Sequence, residues 1–416
     1  MKNRLSRYPL IAVFSTIFID LLAVGILIPV FPLLILPNSP EKITPDPWSI
    51  SSGFILLGWL SAIYPIMQFF ATPILGEISD RWGRKIVLII SVIGTAISYV
   101  LFAMAILTKN IPLLFLSRAL DGITGGNISV AQAVIADISN EKNRARNFGL
   151  VGMAFGLGFI LGPYIGGKLA DPNVVSWFNA STPFWFAAML SICNIAVISI
   201  FLPETLKNRS KRFRIHLFRS IQNVATAFTK KGLRHVIPST FLFNGGFTFF
   251  TTFFAVYLAR EFNFSQGNTG DYFAYIGLWI AVVQGFVTAL VAKKLKDWQV
   301  LRFSMIGTAI ALLGFMLIPA GEYKWLFIVA PFVALFSGLT QAFIPTIVSR
   351  VTPKNIQGEV LGINASVAAL SQTFPAILSG YVATVNQHLP VTAGAGLIAM
   401  AGIIFWVLYR PGRDDA

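Results

Sequence analysis

Long apolar runs alternate with short polar segments along almost the whole chain. Each run is about 20 residues long, which is the length that an α-helix needs to cross a hydrocarbon core about 30 Å thick. A soluble fold would have to bury a dozen long helices with almost no polar surface. The pattern therefore predicts an all-α, polytopic membrane protein with twelve transmembrane helices, at 9–36, 50–75, 86–107, 112–135, 148–170, 183–202, 235–258, 270–292, 301–319, 325–347, 359–383 and 391–409.

Composition agrees with a membrane protein and excludes several chemistries. The chain of 416 residues is 55% hydrophobic and only 12% charged, against about 25% charged in an average soluble domain. Its basic N-terminal segment continues into an apolar stretch longer than the core of a signal peptide, so we interpret that stretch as the first span. One cysteine and three histidines without zinc-ligand spacing predict no disulfide, metal or cofactor. The chain contains no P-loop, and we predict that it is not an enzyme.

Basic residues cluster on alternate connections between the spans. Of the 32 Lys and Arg residues, 26 fall in segments that share one side when both termini are cytoplasmic. This is the orientation that the positive-inside rule selects. The net charge of +15 then reflects loops that face anionic lipid headgroups, and we expect no nucleic-acid partner. We predict a multi-pass protein of a bacterial-type inner membrane.

A long basic connection, 203–234, divides the spans into six and six. The stretch 144–171 resembles 355–384, which indicates that the two halves are related. We therefore predict two pseudo-symmetric six-helix bundles, 1–202 and 235–416, an arrangement typical of transporters whose site lies between two repeats. Five apolar residues of the linker recur at helical spacing and predict an amphipathic helix on the inner membrane surface: Ile215, Phe218, Ile221, Ala225 and Phe228.

Three short motifs carry a resemblance to a known family. RALDGITGG in span four is similar to the pattern R-x-x-Q-G, with Asp121 in place of Gln, and GFILGPYIGG in span five fits G-x-x-x-G-P-x-x-G-G. With these motifs the chain resembles the major facilitator superfamily, and within it the tetracycline/proton antiporters and related multidrug exporters. The third motif is the charged island GEISDRWGRK, which matches G-x-x-x-D-R-x-G-R-[RK] at Gly76, Asp80, Arg81, Gly83, Arg84 and Lys85.

The charged island also has a physical interpretation. Its two glycines, Gly76 and Gly83, are expected to form a tight turn between spans two and three. Its cations can pair with carboxylates at neighbouring helix ends, such as Asp137. Asp80 can accept hydrogen bonds from the start of span eleven, near 357–358. We interpret the island as a latch that stabilises the outward-open state, and the alternative is a loop that only sets topology.

Small residues of span five fall near one helical face. They allow another helix to approach closely within a bilayer, and Pro163 removes a backbone hydrogen bond and is expected to bend the helix. The resemblance implies an antiporter signature here, while generic helix packing is the alternative. The glycines of this motif are Gly158, Gly162, Gly166 and Gly167.

Three charged residues lie well inside the predicted spans: Asp20, Arg118 and Asp121. A charge at the bilayer centre costs roughly 2.5 to 3.5 kcal/mol, so such residues are functional candidates. Arg118 and Asp121 are three residues apart and share a helix face, whereas apolar neighbours favour the protonated form of Asp20. We predict that Asp20 carries the proton, unless the fold places Arg118 against it. The alternatives are a packing hydrogen bond for Asp20 and a silent ion pair for the other two.

Uncharged polar and aromatic side chains on other spans predict a substrate cavity. The rings of span seven offer a stacking surface for a planar compound, although lipid contact or helix packing is the alternative for any single aromatic. The predicted cavity residues are Tyr64, Gln68, Asn127, Gln132, Asn244, Phe247, Phe250, Gln284, Gln341, Asn364 and Gln372.

Together these features predict a monomeric, proton-coupled exporter of amphipathic or aromatic drugs that works by alternating access. Its expected partners are protons, a small-molecule substrate and membrane lipids. A transporter of a metabolite, lipid or siderophore is the alternative, and a non-transporting membrane receptor or scaffold is a more distant one. Tetracycline exporters, by resemblance, carry acidic residues in spans three and nine. This chain has none there, which favours other amphipathic compounds over tetracycline itself.

Overall fold

The structure is a computed structural model that describes residues 7–37, 39–139, 144–206, 219–230, 233–350 and 357–410. These residues form helices joined by short connections and include no strand. Each of the twelve predicted spans coincides with one helix or with an interrupted helix, so the predicted all-α architecture is confirmed. The helices are α1 Arg7–Ile35, α2 Ile50–Trp82, α3 Arg84–Leu107, α4 Ile111–Thr124, α5 Asn127–Ile138, α6 Arg144–Leu169, α7 Thr182–Phe201, α8 Arg219–Thr229, α9 Ile237–Glu261, α10 Gln266–Val282, α11 Thr288–Lys294, α12 Asp297–Met316, α13 Lys324–Arg350, α14 Gln357–Val385 and α15 Leu389–Leu408.

Helix length and apolar surface agree with a membrane environment. In the described part of the chain, nine helical segments are long and apolar enough to cross a bilayer. Large apolar side chains such as Ile200 and Leu317 are 73% and 84% exposed. Such exposure is unusual in a soluble monomer and is expected where lipid is the solvent. Span four does not count among the nine because α4 and α5 have only 14 and 12 residues each.

The chain divides into two compact units. Unit 1 comprises Met1–Pro45 and Ile63–Ser220, and unit 2 comprises Asp46–Ala62 and Ile221–Ala416. The first part of α2 therefore belongs to unit 2 and its remainder to unit 1. The predicted bundles, 1–202 and 235–416, instead keep the whole of α2 in the first bundle. Within unit 2, the lack of a side chain at Gly58 permits close packing on α14, since a Cβ there would lie 2.8 Å from the carbonyl oxygen of Ala376.

The charged island is a one-residue turn. α2 continues to Trp82 and α3 begins at Arg84. Between them Gly83 has φ +113°, a conformation that side-chain-bearing residues rarely adopt. The prediction that both glycines form the turn is wrong for Gly76, because residues 76–82 keep the helical conformation of α2 and the α-helix ends only where the Gly83 N–H donates to the Ser79 carbonyl.

The linker contains a short amphipathic helix, α8, as predicted. Ile221 and Phe228 lie on it and are 50% and 37% exposed, while the predicted members Ile215 and Phe218 lie outside the described residues. Where α8 begins, in unit 1, Arg219 forms an ion pair with Glu77 of α2. The start of the helix is thereby held against the basic end of α2.

Candidate functional site

Span four is interrupted at its centre. α4 ends at Thr124 and α5 begins at Asn127, and Gly125 and Gly126 between them have ψ of −10° and −9°, about 30° from the α-helical value. In a continuous helix the Ser129 N–H would donate to the Gly125 carbonyl, but here it donates to the Gly126 carbonyl at 3.3 Å. The Gly125 carbonyl instead accepts a hydrogen bond from Nε2 of Gln68, at 3.0 Å. The prediction of one continuous span at 112–135 is therefore wrong at this point.

Helix α2 supports the interruption through its polar face. Gln68 also donates to the hydroxyl of Tyr64 at 3.2 Å. A Cβ at Gly122 would overlap the Tyr64 carbonyl, and a Cβ at Gly125 would overlap the Tyr64 hydroxyl. The glycines of the RALDGITGG motif thus let Tyr64 and Gln68 reach the backbone of span four. Both of these predicted cavity residues are half-buried.

Arg118 and Asp121 form a buried ion pair on α4, as predicted. Nη1 of Arg118 lies 2.6 Å from Oδ2 of Asp121, and each residue is 5% exposed. The Arg118 guanidinium carbon also lies 4.7 Å from the ring centroid of Tyr64, a cation–π geometry. Ser98 and Tyr99 of α3 interact with the Asp121 carboxylate. The charge of Asp121 is therefore matched by the cation of Arg118.

Asp20 lies on α1 in the same buried cluster but without a cationic partner. It is 5% exposed, and the neighbouring side chain of Asn127 interacts with its carboxyl. Its Oδ2 nevertheless makes no hydrogen bond within the described residues. No ion pair among those residues joins Asp20 to Arg118, which pairs with Asp121 instead. The condition on which its prediction as proton carrier depended is therefore met.

The glycine motif of α6 packs against α1 directly after Asp20. A Cβ added at Gly158, Gly162 or Gly166 would lie only 2.5 to 2.8 Å from atoms of α1 between residues 21 and 26. The close approach predicted for this motif is thereby confirmed, and its partner is the helix that carries Asp20. Pro163 lies inside α6, which continues through it. The buried glycines of the motif are Gly158, Gly162, Gly166 and Gly167.

At the basic end of unit 1, Arg84 joins α2, α3 and α5. Its Nη2 lies 2.5 Å from Oδ1 of Asp80, and its Nε lies 3.3 Å from Oδ2 of Asp137. The predicted pairing with Asp137 is thereby confirmed for Arg84. Lys85 donates to the carbonyl of Ser199 at 2.7 Å instead, and Arg81 is exposed. The proposed contact of Asp80 with the start of span eleven stays a prediction.

Sequence reasoning missed Glu204, which follows α7. Its Oε1 accepts the backbone N–H of Arg84 at 3.0 Å, and its Oε2 accepts that of Lys85 at 3.3 Å. These N–H groups begin α3 and have no partner within the helix, and the helix dipole favours an anion there. The motif residues of the island are thus anchored by a carboxylate 120 positions further along the chain.

Among the predicted cavity residues of unit 2, the rings of Phe247 and Phe250 contact each other, with centroids 5.8 Å apart. In the described part of unit 2, no hydrogen bond joins the side chains of these cavity residues. Phe250 is 3% exposed and packs on Phe254, with ring centroids 4.4 Å apart, so helix packing, the alternative interpretation, describes it here. Gln284 lies in a π-helical turn, Val283–Val287, a feature frequent at functional sites. Half-buried are Asn244, Phe247, Gln284 and Asn364, together with Gln132 of unit 1, while Gln341 and Gln372 are exposed.

Comparison with known proteins identifies the family. The sequence model of the Major Facilitator Superfamily matches residues 13–375. The chain belongs to the Major Facilitator Superfamily. The chain is 27% identical to the tetracycline resistance protein, class H, of Pasteurella multocida over 392 residues, which are 94% of this chain and 92% of that protein. It is 25% identical to multidrug resistance protein 2 of Bacillus subtilis (strain 168) over 414 residues, 98% and 94% of the two chains.

A solved structure supports the superfamily fold. The crystal structure of a D-xylose-proton symporter matches this chain with a TM-score of 0.78 at 15% identity, covering 97% of this chain and 98% of the other. At that identity the likeness shows the fold alone. The motif-based resemblance is therefore confirmed at the level of the family, and the chain is a superfamily transporter related to tetracycline resistance and multidrug resistance proteins.

Proposed function

We propose that this transporter exports amphipathic or aromatic compounds in exchange for protons. The observation that carries the proposal is Asp20, a buried carboxyl with no cationic partner among the described residues and one oxygen without a hydrogen bond. An ionisable group of this kind inside a membrane is costly, which makes it a candidate functional group. The names of the related proteins, which refer to tetracycline and multidrug resistance, support a drug-like substrate.

In this mechanism Asp20 takes a proton from the outer side and releases it to the inner side, and substrate and proton compete for the site. Arg118 and Asp121 form a charge-matched pair that orients Tyr64 beside Asp20. Tyr64 and Gln68 of unit 1, both half-buried, contact the substrate. No bond is made or broken in the substrate.

The remaining proposals concern topology and gating. Both termini lie in the cytoplasm and the protein resides in a bacterial-type inner membrane, as the distribution of basic residues indicates. The Asp80–Arg84–Asp137 network acts as the inner latch of the outward-open state. The protein works as a monomer with two six-helix bundles.

The proposal is tested by compound-evoked proton movement in reconstituted vesicles. The native chain, Asp20→Asn and Glu322→Gln are compared with tetracyclines and cationic dyes. Glu322 is an exposed carboxylate between α12 and α13, so its variant controls for the loss of an acid. We expect at least one compound to release protons through the native chain and Glu322→Gln but not through Asp20→Asn.

Two results would overturn parts of this proposal. Unchanged proton release in Asp20→Asn would make Asp20 structural and move coupling to Asp121. If no compound moves protons through the native chain, drug export is wrong, and the alternative of a metabolite, lipid or siderophore transporter takes its place.

A further inference from the structure

Asn127 combines complete burial with unused hydrogen-bonding capacity. It is 0% exposed, and within the described residues neither its Nδ2 nor its Oδ1 has a hydrogen-bond partner. Buried polar atoms of native proteins are almost always paired, so each exception requires an explanation. The nearby Oδ2 of Asp20 is also buried and unpaired. Two neighbouring side chains on different helices therefore hold donors and acceptors that no hydrogen bond among the described residues uses.

The backbone around Asn127 adds a fixed positive end to this site. Asn127 is the first residue of α5, a helix of 12 residues. Because span four is interrupted at Gly125–Gly126, α5 starts inside the span, and α1 packs against it. A helix N-terminus carries a partial positive charge and free N–H groups. Asp20 of α1 thus interacts with the residue that begins α5 and has no cationic partner among the described residues.

A second buried asparagine of unit 1 shows what a structural role looks like. Asn194 of α7 is 1% exposed and also packs on α1. Its Oδ1 accepts a hydrogen bond from Oγ of Ser15 at 2.9 Å, and its Nδ2 donates one to Oγ1 of Thr16 at 3.2 Å. Both polar atoms of Asn194 therefore make hydrogen bonds between packed helices. Neither polar atom of Asn127 makes a hydrogen bond within the described residues.

We propose that Asn127 is the positioning residue for proton exchange at Asp20. This inference rests on the proposed function and adds the group that serves both protonation states. When Asp20 is ionised, Nδ2–H of Asn127 donates to the carboxylate, and the N-terminus of α5 stabilises the charge. When Asp20 is protonated, Oδ1 of Asn127 accepts the carboxylic acid hydrogen. An amide can do both because it has a donor and an acceptor and does not itself titrate.

The other groups near Asp20 are charged or already make hydrogen bonds. Asp121 would repel an ionised Asp20, and Arg118 is engaged by Asp121 at 2.6 Å. Tyr64 of α2 and Tyr99 of α3 interact electrostatically with Asp20, and the hydroxyl of Tyr64 already accepts from Gln68. Asn127 differs from them because it is uncharged and neither of its polar atoms makes a hydrogen bond among the described residues.

The test is the pH profile of compound-driven proton exchange for the native chain, Asn127→Ala, Asn127→Ser and Asn194→Ala. A hydrogen bond to a carboxylate is about twice as strong as one to a neutral acid. Loss of Asn127 should therefore raise the pH of half-maximal exchange by about one unit, about a tenfold change in proton affinity. Asn127→Ser, which keeps a short donor and acceptor, should fall between native and alanine. Asn194→Ala should lower thermal stability and leave the midpoint at the native value.

A second readout separates this inference from the proposed function. Infrared titration of the purified protein follows the carbonyl band of protonated Asp20, assigned as the band missing in Asp20→Asn. We expect the midpoint of this band to move upward in Asn127→Ala and Asn127→Ser even if no transported compound has been found. An unchanged infrared midpoint in both variants would overturn the role of Asn127. Absence of exchange with a shifted band would instead count only against drug export.

Discussion

Glu204 occupies the space that a side chain at Gly83 would need. A Cβ added at Gly83 would overlap the Glu204 carboxylate, which accepts the first N–H groups of α3. Gly83 also has φ +113° and ψ 148°, a region open to glycine alone. The turn after α2 and the cap of α3 therefore depend on the same missing side chain.

Gly83→Ala should destabilise the protein. The strained backbone alone costs of order 1–3 kcal/mol, and Glu204 would have to leave the end of α3. Thermal unfolding of the purified protein measures the effect. Gly76→Ala is the matched control, because Gly76 lies in helical α2 with nothing within 4 Å of an added Cβ. Equal melting temperatures for the two variants would contradict this account.

Gly162→Ala should separate α1 from α6. The added methyl group would lie 2.5 Å from the carbonyl oxygen of Leu22 and 2.8 Å from Cα of Gly25. Both are backbone atoms that cannot rotate away, and overpacking typically costs about 1–3 kcal/mol. We expect lower thermal stability and reduced exchange. Gly396→Ala in α15, where an added Cβ meets no atom within 4 Å, should behave like the native chain, and native-like behaviour of Gly162→Ala would count against the contact.

Removing one member of the Arg118–Asp121 pair should be worse than removing both. Arg118→Met or Asp121→Asn leaves a buried charge without its partner, which typically costs about 3–5 kcal/mol. The double variant leaves no net charge and should recover much of this loss. A double-mutant cycle of unfolding free energies measures the coupling. If the loss in the double variant equals the sum of the two single losses, the interaction between Arg118 and Asp121 contributes no coupling free energy to folding.

The concentration of basic residues in alternate connections predicts which connections face the cytoplasm and which face the external medium. In a Cys193→Ser background, Asn173→Cys lies in an exposed connection before α7, and Leu295→Cys lies in an exposed connection between α11 and α12. A membrane-impermeant maleimide added to intact cells should label the first and not the second. After the membrane is opened both should react. The reverse pattern in intact cells would invert the orientation.

The spans were predictable from sequence because helix length and apolar composition are local properties. Asp20, Arg118 and Asp121 were predictable as candidate site residues for the same reason, since a charge in an apolar run is visible without a structure. The interruption of span four was not. Gly125 and Gly126 both have φ close to −64°, which is an ordinary helical value. The break depends instead on the hydrogen bond that Gln68 donates to the Gly125 carbonyl, 57 positions away.

Contacts between distant segments explain the other differences. Glu204 caps α3 across 120 residues, and no spacing rule connects the two sites. The assignment of Asp46–Ala62 to unit 2 likewise depends on packing against α14 through Gly58 rather than on any feature of the apolar pattern. Asn127 could be predicted as a polar residue of span four, but its unused amide became visible only with the neighbours in place.

The buried charges of unit 1 have a consequence for energetics. Arg118 and Asp121 cancel, so among the described residues of that cluster Asp20 is the carboxyl without a cationic partner. If Asp20 carries the proton, as we propose, it exchanges one proton per cycle. Export of a monovalent cation against one proton would then be electroneutral and driven by the pH difference alone. Export of an uncharged compound would move one net charge inward and gain about 2.3 kcal/mol for each 100 mV of membrane potential. The voltage dependence of transport therefore reports the charge of the substrate.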